Sequence, residues 1–390
     1  MAVFIISNRE ISQVKSENSP RVMSKFCFES QTGTSNFRIA KFLGYKPPEK
    51  DGRSKKDYKK ALKEKSDSAH EILSDYFECD YTPVKELLLE LKRTTKVSQD
   101  KLNRLRGSQK MFFDFYRSML ETERGKRGDL LVFIHGYSYT FSDELEAMET
   151  LKKQYVDNPD SPVSNLLLLS WPGSKSVFPY TYIDDKRNSI DAGMVFYKMM
   201  LKYNEFLKQV LADPELSFCG QRIHLMAHSM GNRLLRSALI CMKSSNIMKV
   251  IDQVLLLNSD ISVDSFEKED ESMYKLTKLA NRITVYINKS DDILSISTLS
   301  KNILSPRLGK YGPMNINSLP ENVNVIDCTK AENDLGTGLQ KFGDHWGYLS
   351  STQVQRDIIE TLKGEHEELI AHRFAHRKYD HYYELRSRTV

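Results

Sequence analysis

No stretch of this sequence approaches the roughly 20 consecutive apolar residues that a membrane helix needs. Its opening, "MAVFIISNRE", meets charge too soon for a secretory signal, so the cytosol is the expected compartment. Cysteine is scarce: the five residues Cys27, Cys79, Cys219, Cys241 and Cys328 are odd in number, scattered, and form no C-x-x-C pair. That pattern argues against a disulfide framework and against a cysteine-based zinc site. Internal repeats, low-complexity tracts, glycine-rich phosphate loops and metal motifs are also missing, and no cofactor is expected. What is present is an ordinary globular composition, 40% apolar and 28% charged over 390 residues. That length is enough for one large α/β domain with an added segment.

The net charge of +5 is unevenly spread. Residues 1–128 hold 27 Lys and Arg against 18 Asp and Glu, whereas the remainder holds 30 against 34. The densest basic run, "KDGRSKKDYKKALKEK" (Lys50 to Lys65), carries no nucleic-acid motif. It is read as a solvated loop or helix face, with an anionic partner (nucleic acid or lipid head groups) as the alternative.

From residue 130 onward, short apolar runs alternate with helical spacing. The runs at 130–135, 165–171, 222–227, 252–258, 282–288 and 322–327 read as six buried strands. Between them Leu145, Met148, Leu151 and Tyr155 share a helix face, with Ser142 as its expected cap, and Val354, Ile358, Ile359 and Leu362 mark the last helix. This order reads as an α/β fold, a doubly wound, mostly parallel sheet with helices on both faces. The front part, 1–128, reads as a basic extension. In it "AVFIIS" and "FRIAKFLG" look like strands, and Leu87, Leu88, Leu91, Phe112, Phe115, Tyr116 and Met119 look like helical core contacts. The catalytic domain is placed at 129–365 and a basic, aromatic tail at 366–390.

The chemistry converges on "RIHLMAHSMGNRLLRSALI", Arg222 to Ile240. A strand, the corner Ala227-His228-Ser229-Met230-Gly231 and then a helix is the order of a nucleophile elbow. Such a turn exposes the serine hydroxyl at a helix amino end, where the Met230 N–H faces a developing oxyanion. Gly231 lets two backbones pass closely, and Ala227 adds only a methyl where a glycine is usual. "FIHGYSYTF" supplies a second oxyanion donor, the Tyr137 N–H. His135 and His228 are read as structural. A base belongs after the last strand, and His345 in "FGDHWGYLSS" is favoured by its loop over His366, His372, His376 and His381. His372 and His376 are four apart and could share a helix face as metal ligands, but no carboxylate motif accompanies them. For the acid, Asp291 in "VYINKSDDILSIS" competes with Asp292 beside it and Asp260 in "LLLNSDIS". The loop 173–189 offers Phe178, Tyr180 and Tyr182 as an apolar acyl wall or lid.

With these pieces together, "VFIHGYSYTF", "LSWPGS", "HLMAHSMGNRLLRSAL", "LLLNSDIS", "VYINKSDDILSIS", "RLG" and "DHWGY", the chain resembles the α/β-hydrolase superfamily. Within it, the chain is similar to a bacterial family described only as α/β hydrolase of unknown function. The early "FIISNRE" also looks like that family's amino-terminal strand. The resemblance implies Ser229, Asp291 and His345 as a triad, and it departs from the family pattern at Asp292-Ile293, where arginine and alanine are usual. The expected function is a serine hydrolase of the carboxylesterase or lipase type acting on a small-molecule or lipid ester. Acyl transfer to another acceptor and peptide cleavage share the same triad. The contrasting expectation is a catalytically silent scaffold that binds a partner through the basic front region.

Overall fold

In a computed structural model the described residues are 1–15, 22–29, 32–50, 52–74, 80–120, 128–173, 180–216, 221–243, 249–267, 272–299, 305–332 and 345–386. Thirteen strands occur among them. They are β1 (Ala2–Arg9), β2 (Ile11–Lys15), β3 (Val22–Phe26), β4 (Gly33–Phe42), β5 (His70–Ser74), β6 (Asp129–Ile134) and β7 (Val163–Ser170). The remainder are β8 (Ile223–His228), β9 (Ile251–Leu257), β10 (Ala280–Ile287), β11 (Val323–Asp327), β12 (Arg373–Ala375) and β13 (Tyr382–Leu385). By contacts the chain divides into two units. One comprises 1–130, 138–153 and 164–221, and the other comprises 131–137, 154–163 and 222–390.

In the first unit β7, β1, β4 and β5 lie side by side in that order. Strand β1 runs parallel to β7, with Phe4 opposite Leu167, and antiparallel to β4, with Ile5 opposite Ala40. All eight residues of β1 are buried, which is why "AVFIISNR" carries no polar alternation until its end. At that end Arg9 is buried and paired with Glu144, while its Nη2 donates to the Trp171 carbonyl at 3.0 Å. The ion pair joins β1 to the helix Phe141–Leu151. That helix is capped by Thr140, not by Ser142: the Thr140 hydroxyl accepts from the Asp143 N–H, and Asp143 accepts in return from the Thr140 N–H. The reciprocal box satisfies two amide groups that Ser142, already inside the first turn, cannot reach.

The basic run folds mostly as the helix Lys55–Ser68, with Ser54 as its cap. Its lysines are exposed and in part neutralised, Lys59 by Glu29 and Lys63 by Asp67 one turn on. The leucine and phenylalanine stripes form the helices Thr82–Thr94 and Gly107–Leu120, where Phe112 stacks on Phe206 with ring centroids 4.5 Å apart.

In the second unit the strand order is β12-β13-β11-β10-β9-β8-β6. Strands β8, β9, β10, β11 and β13 are mutually parallel, and β12 runs antiparallel to β13. Leu255, Leu256, Val285, Val325 and Ile326 are almost fully buried, each such side chain contributing about 1.5–3 kcal/mol. The segment read as a tail therefore supplies two strands. His372 and His376 flank β12, so the helix face on which the two could have shared a metal, already disfavoured by the sequence, does not form. Parallel strands place all their carboxyl ends on one side, and the loops after β8, β9 and β10 meet there.

Candidate active site

Strand β8 ends at His228 and the helix Gly231–Cys241 begins after two intervening residues, Ser229 and Met230. Ser229 makes that turn with a φ of +50°, a left-handed conformation that costs a non-glycine residue about 1–3 kcal/mol. The surroundings hold it: its N–H donates to the Leu257 carbonyl at 2.9 Å, and its own carbonyl accepts from the N–H groups of Asn232 and Asp260, each at 3.1 Å. Gly231 is required by close approach, since a Cβ there would lie 2.6 Å from the His135 carbonyl oxygen. Among the described residues the Met230 N–H donates to no acceptor, which leaves it open at the helix start.

His345 and Asp291 come together from the loops before the helix Gly347–Ser350 and after β10. The His345 Nδ1 lies 2.7 Å from Asp291 Oδ2, and both side chains are buried. Asp291 Oδ2 also accepts from Asn258 Nδ2 at 2.8 Å, and Oδ1 accepts from the Leu294 N–H at 3.0 Å. Burial by itself would raise the Asp291 pKa. The facing His345, the Leu294 amide and Asn258 outweigh it and hold the carboxyl below its usual range. Because Nδ1 faces the carboxylate, Nε2 is the ring nitrogen left for chemistry. Neither His345 Nε2 nor the Ser229 hydroxyl has a hydrogen-bond partner among the described residues, and such links commonly tighten only with substrate bound.

The three carboxylates weighed for the acid differ sharply in setting. Asp292 is exposed at the start of the helix Asp292–Leu299. Asp260 is buried but faces two guanidinium groups, Arg233 Nε at 3.2 Å and Arg307 Nε at 3.1 Å. Only Asp291 faces a histidine.

His228 and His135 have structural contacts. The His228 Nε2 lies 2.9 Å from the His345 carbonyl oxygen, which can only accept, so that nitrogen carries the proton. Burial first, and the adjacent His345 second, keep His228 neutral with a pKa well below the ordinary histidine value. Its ring packs 4.7 Å from that of His345 and 4.8 Å from that of Tyr348. His135 Nδ1 sits 3.0 Å from the Gly136 carbonyl oxygen. Gly136 packs on the elbow so closely that a Cβ there would come within 2.9 Å of the Ser229 Cβ, which leaves Tyr137 the next residue along from that contact.

The expected acyl wall fares differently. Phe178 and the side chain of Tyr180 lie outside the described residues. Tyr180 opens the helix Tyr180–Phe206, and Tyr182 is buried on it, so this stretch is helix where a loop was expected. Asn258 is the site residue that sequence reasoning passed over. Its signal was a polar residue directly ending the apolar run "VLLL" of β9.

A strained serine between a parallel strand and a helix, with a buried Asp–His pair on later loops of the same sheet, places the molecule in the α/β-hydrolase class. The chain belongs to the family described as "Alpha/beta hydrolase of unknown function (DUF900)", whose model matches residues 115–361. Among solved structures the chain is similar to the phospholipase PlaB from Legionella pneumophila in complex with thio-NAD, at 11% identity and a TM-score of 0.26, covering 64% of this chain and 66% of that one. It is also similar to the Pyrococcus horikoshii acylaminoacyl peptidase, at 13% identity and a TM-score of 0.26, covering 91% of this chain and 50% of that one. This chain thus spans under two-thirds of either structure's length. No curated sequence matches it. Among the described residues no helix is long and apolar enough to cross a membrane.

Proposed function

We propose that this protein is a serine hydrolase that cleaves an acyl ester through Ser229, His345 and Asp291. The observation that carries the reading is the 2.7 Å contact of His345 Nδ1 with Asp291 Oδ2, in a unit whose one elbow serine has a φ of +50°. His345 Nε2 takes the proton of the Ser229 hydroxyl as its oxygen attacks the ester carbonyl. Asp291 fixes the ring tautomer and offsets the positive charge that forms on it. The N–H groups of Met230 and Tyr137 receive the tetrahedral oxyanion at the helix start. His345 then protonates the departing alcohol, leaving Ser229 acylated. Water, deprotonated by the same nitrogen, releases the acid and restores the serine.

The test is labelling with a fluorophosphonate probe, read by mass spectrometry on the modified peptide. Wild type should label at Ser229 alone, and Ser229→Ala and His345→Ala should not. Hydrolysis of a short p-nitrophenyl ester should fall by about 10,000- to 1,000,000-fold in either variant. A folded wild type that neither labels nor turns over esters of any chain length would sink the reading. It would turn attention to the exposed lysines of the helix Lys55–Ser68 as a surface for an anionic partner.

A further inference from the structure

Asp291 Oδ2 is shared. It accepts from His345 on one side and from Asn258 Nδ2, 2.8 Å away, on the other. An ionised carboxylate only accepts, so the side-chain amide must present its nitrogen, and the orientation of Asn258 is determined by chemistry. We propose that Asn258 is a positioning residue for the hydrolase site, clamping the Asp291 carboxylate so that one oxygen aims at His345.

The backbone around Asn258 is built for this contact. Asn258 has a φ of +43°, a left-handed conformation that asparagine tolerates better than most residues. Its N–H donates to the Tyr286 carbonyl at 3.1 Å, which fixes the end of β9 against β10. From the other side Gly309 lies against the Asn258–Ser259 peptide. Its N–H donates to the Ser259 carbonyl and its carbonyl accepts from the Asn288 N–H, both at 2.9 Å, while a Cβ there would sit 2.1 Å from the Asn258 carbonyl carbon. The amide is thus held from three directions, two residues before Asp260 and far in sequence from the acid it touches.

The chemical effect follows from the sharing. The Leu294 N–H holds Oδ1, so with Asn258 present both carboxylate oxygens are anchored and the side chain cannot turn away from His345. Without Asn258, Oδ2 loses one donor, the carboxylate becomes a stronger acceptor toward His345, and its plane is held only by the Leu294 N–H and His345 itself. Among the described residues, the other ionisable groups about the pair are these. His228, neutral, packs on His345, with His135 beyond it; Lys310 Nζ donates to the Asp291 carbonyl at 3.0 Å; Asp292 follows in the chain and faces solvent.

This inference rests on the serine-hydrolase reading, and its test separates the two. Asn258→Gly removes the amide while relieving the left-handed backbone, so the variant should fold, and Asn258→Asp keeps the shape but sets a second carboxylate against the first. In Asn258→Gly, kcat should fall about 10- to 100-fold, the worth of one hydrogen bond to an ion. KM should stay near that of wild type, and the acid limb of the kcat/KM profile should move to higher pH. Asn258→Asp should be slower still at neutral pH and recover as the pH falls and the new carboxyl regains a proton to donate. Independently of turnover, the downfield NMR resonance of the His345 Nδ1 proton should shift in Asn258→Gly. An unchanged resonance and an unchanged acid limb, with only a lower melting temperature, would overturn the proposal. If wild type shows no labelling at Ser229, the hydrolase reading falls, while the resonance still decides whether Asn258 positions Asp291.

Discussion

Asp291 and His345 meet at 2.7 Å although 54 residues separate them in the chain. The contact joins the loop after β10 to the segment just before the helix Gly347–Ser350, so it exists only when those parts of the second unit are folded together.

Asp291→Asn should cut kcat by about 10,000-fold while leaving the melting temperature nearly unchanged, because the amide presents a donor where Nδ1–H needs an acceptor. Steady-state ester hydrolysis with circular dichroism on the same samples checks both halves.

Asp260→Asn should do the reverse. Removing a carboxylate that faces both Arg233 and Arg307 in a buried setting should cost about 3–5 kcal/mol of stability. The labelling rate per folded molecule should stay close to wild type. Urea unfolding together with probe labelling would expose the error if the two aspartates have been assigned the wrong way round.

Stability should fall with acid between about pH 6.5 and 4, and His70 is one cause. Burial first, then the charge of Lys25, lowers the His70 pKa from 6.5 to about 4. The unfolded chain therefore binds this proton first as pH drops, and the contribution, whole above pH 6.5, is lost on the way down to 4. Its size is about 3 kcal/mol at 1.36 kcal/mol per unit. In His70→Gln the plot of unfolding free energy against pH should be shallower across that window; an identical slope would show that the histidine is not involved.

Gly231→Ala should impair both stability and labelling. The added Cβ would stand 2.6 Å from the His135 carbonyl oxygen and 2.7 Å from that of Ile134, so the elbow must shift, at about 1–3 kcal/mol. Denaturant midpoints and the probe labelling rate should fall together.

The six apolar strands left a local trace in runs such as "LLVFI", and the candidate site residues, in the order Ser229, Asp291, His345, could be proposed from a serine at a strand-to-helix corner, an aspartate after a strand and a histidine before the last helix. Elements whose sequences are short or polar left none. Strand β5 reads "HEILS" and β12 reads "RFA", and both exist through pairing with a neighbour rather than through their own pattern. Ser142 was the better cap by type but lies two residues inside the cap position, and only the backbone shows that Thr140 precedes the helix. The choice among Asp260, Asp291 and Asp292 needed burial and partners, neither of which spacing encodes. Asn258 left only the faint trace of a polar residue ending an apolar run, because its contact with Asp291 lies between the ends of two strands.

Strand β12 is three residues long, and Arg373 within it is buried, donating to Asp357 Oδ2 through Nε at 2.6 Å and to Oδ1 through Nη2 at 2.8 Å. A flat outer strand is a template on which a second molecule can add its own strand and begin aggregation. Here the outermost strand is too short to template much and is pinned inward by a charge, and it covers β13, which in turn covers β11. Segment 373–385 thus acts as a guard against edge-to-edge association, and a chain lacking it would present β11, whose five residues are all buried in the folded protein, to its neighbours.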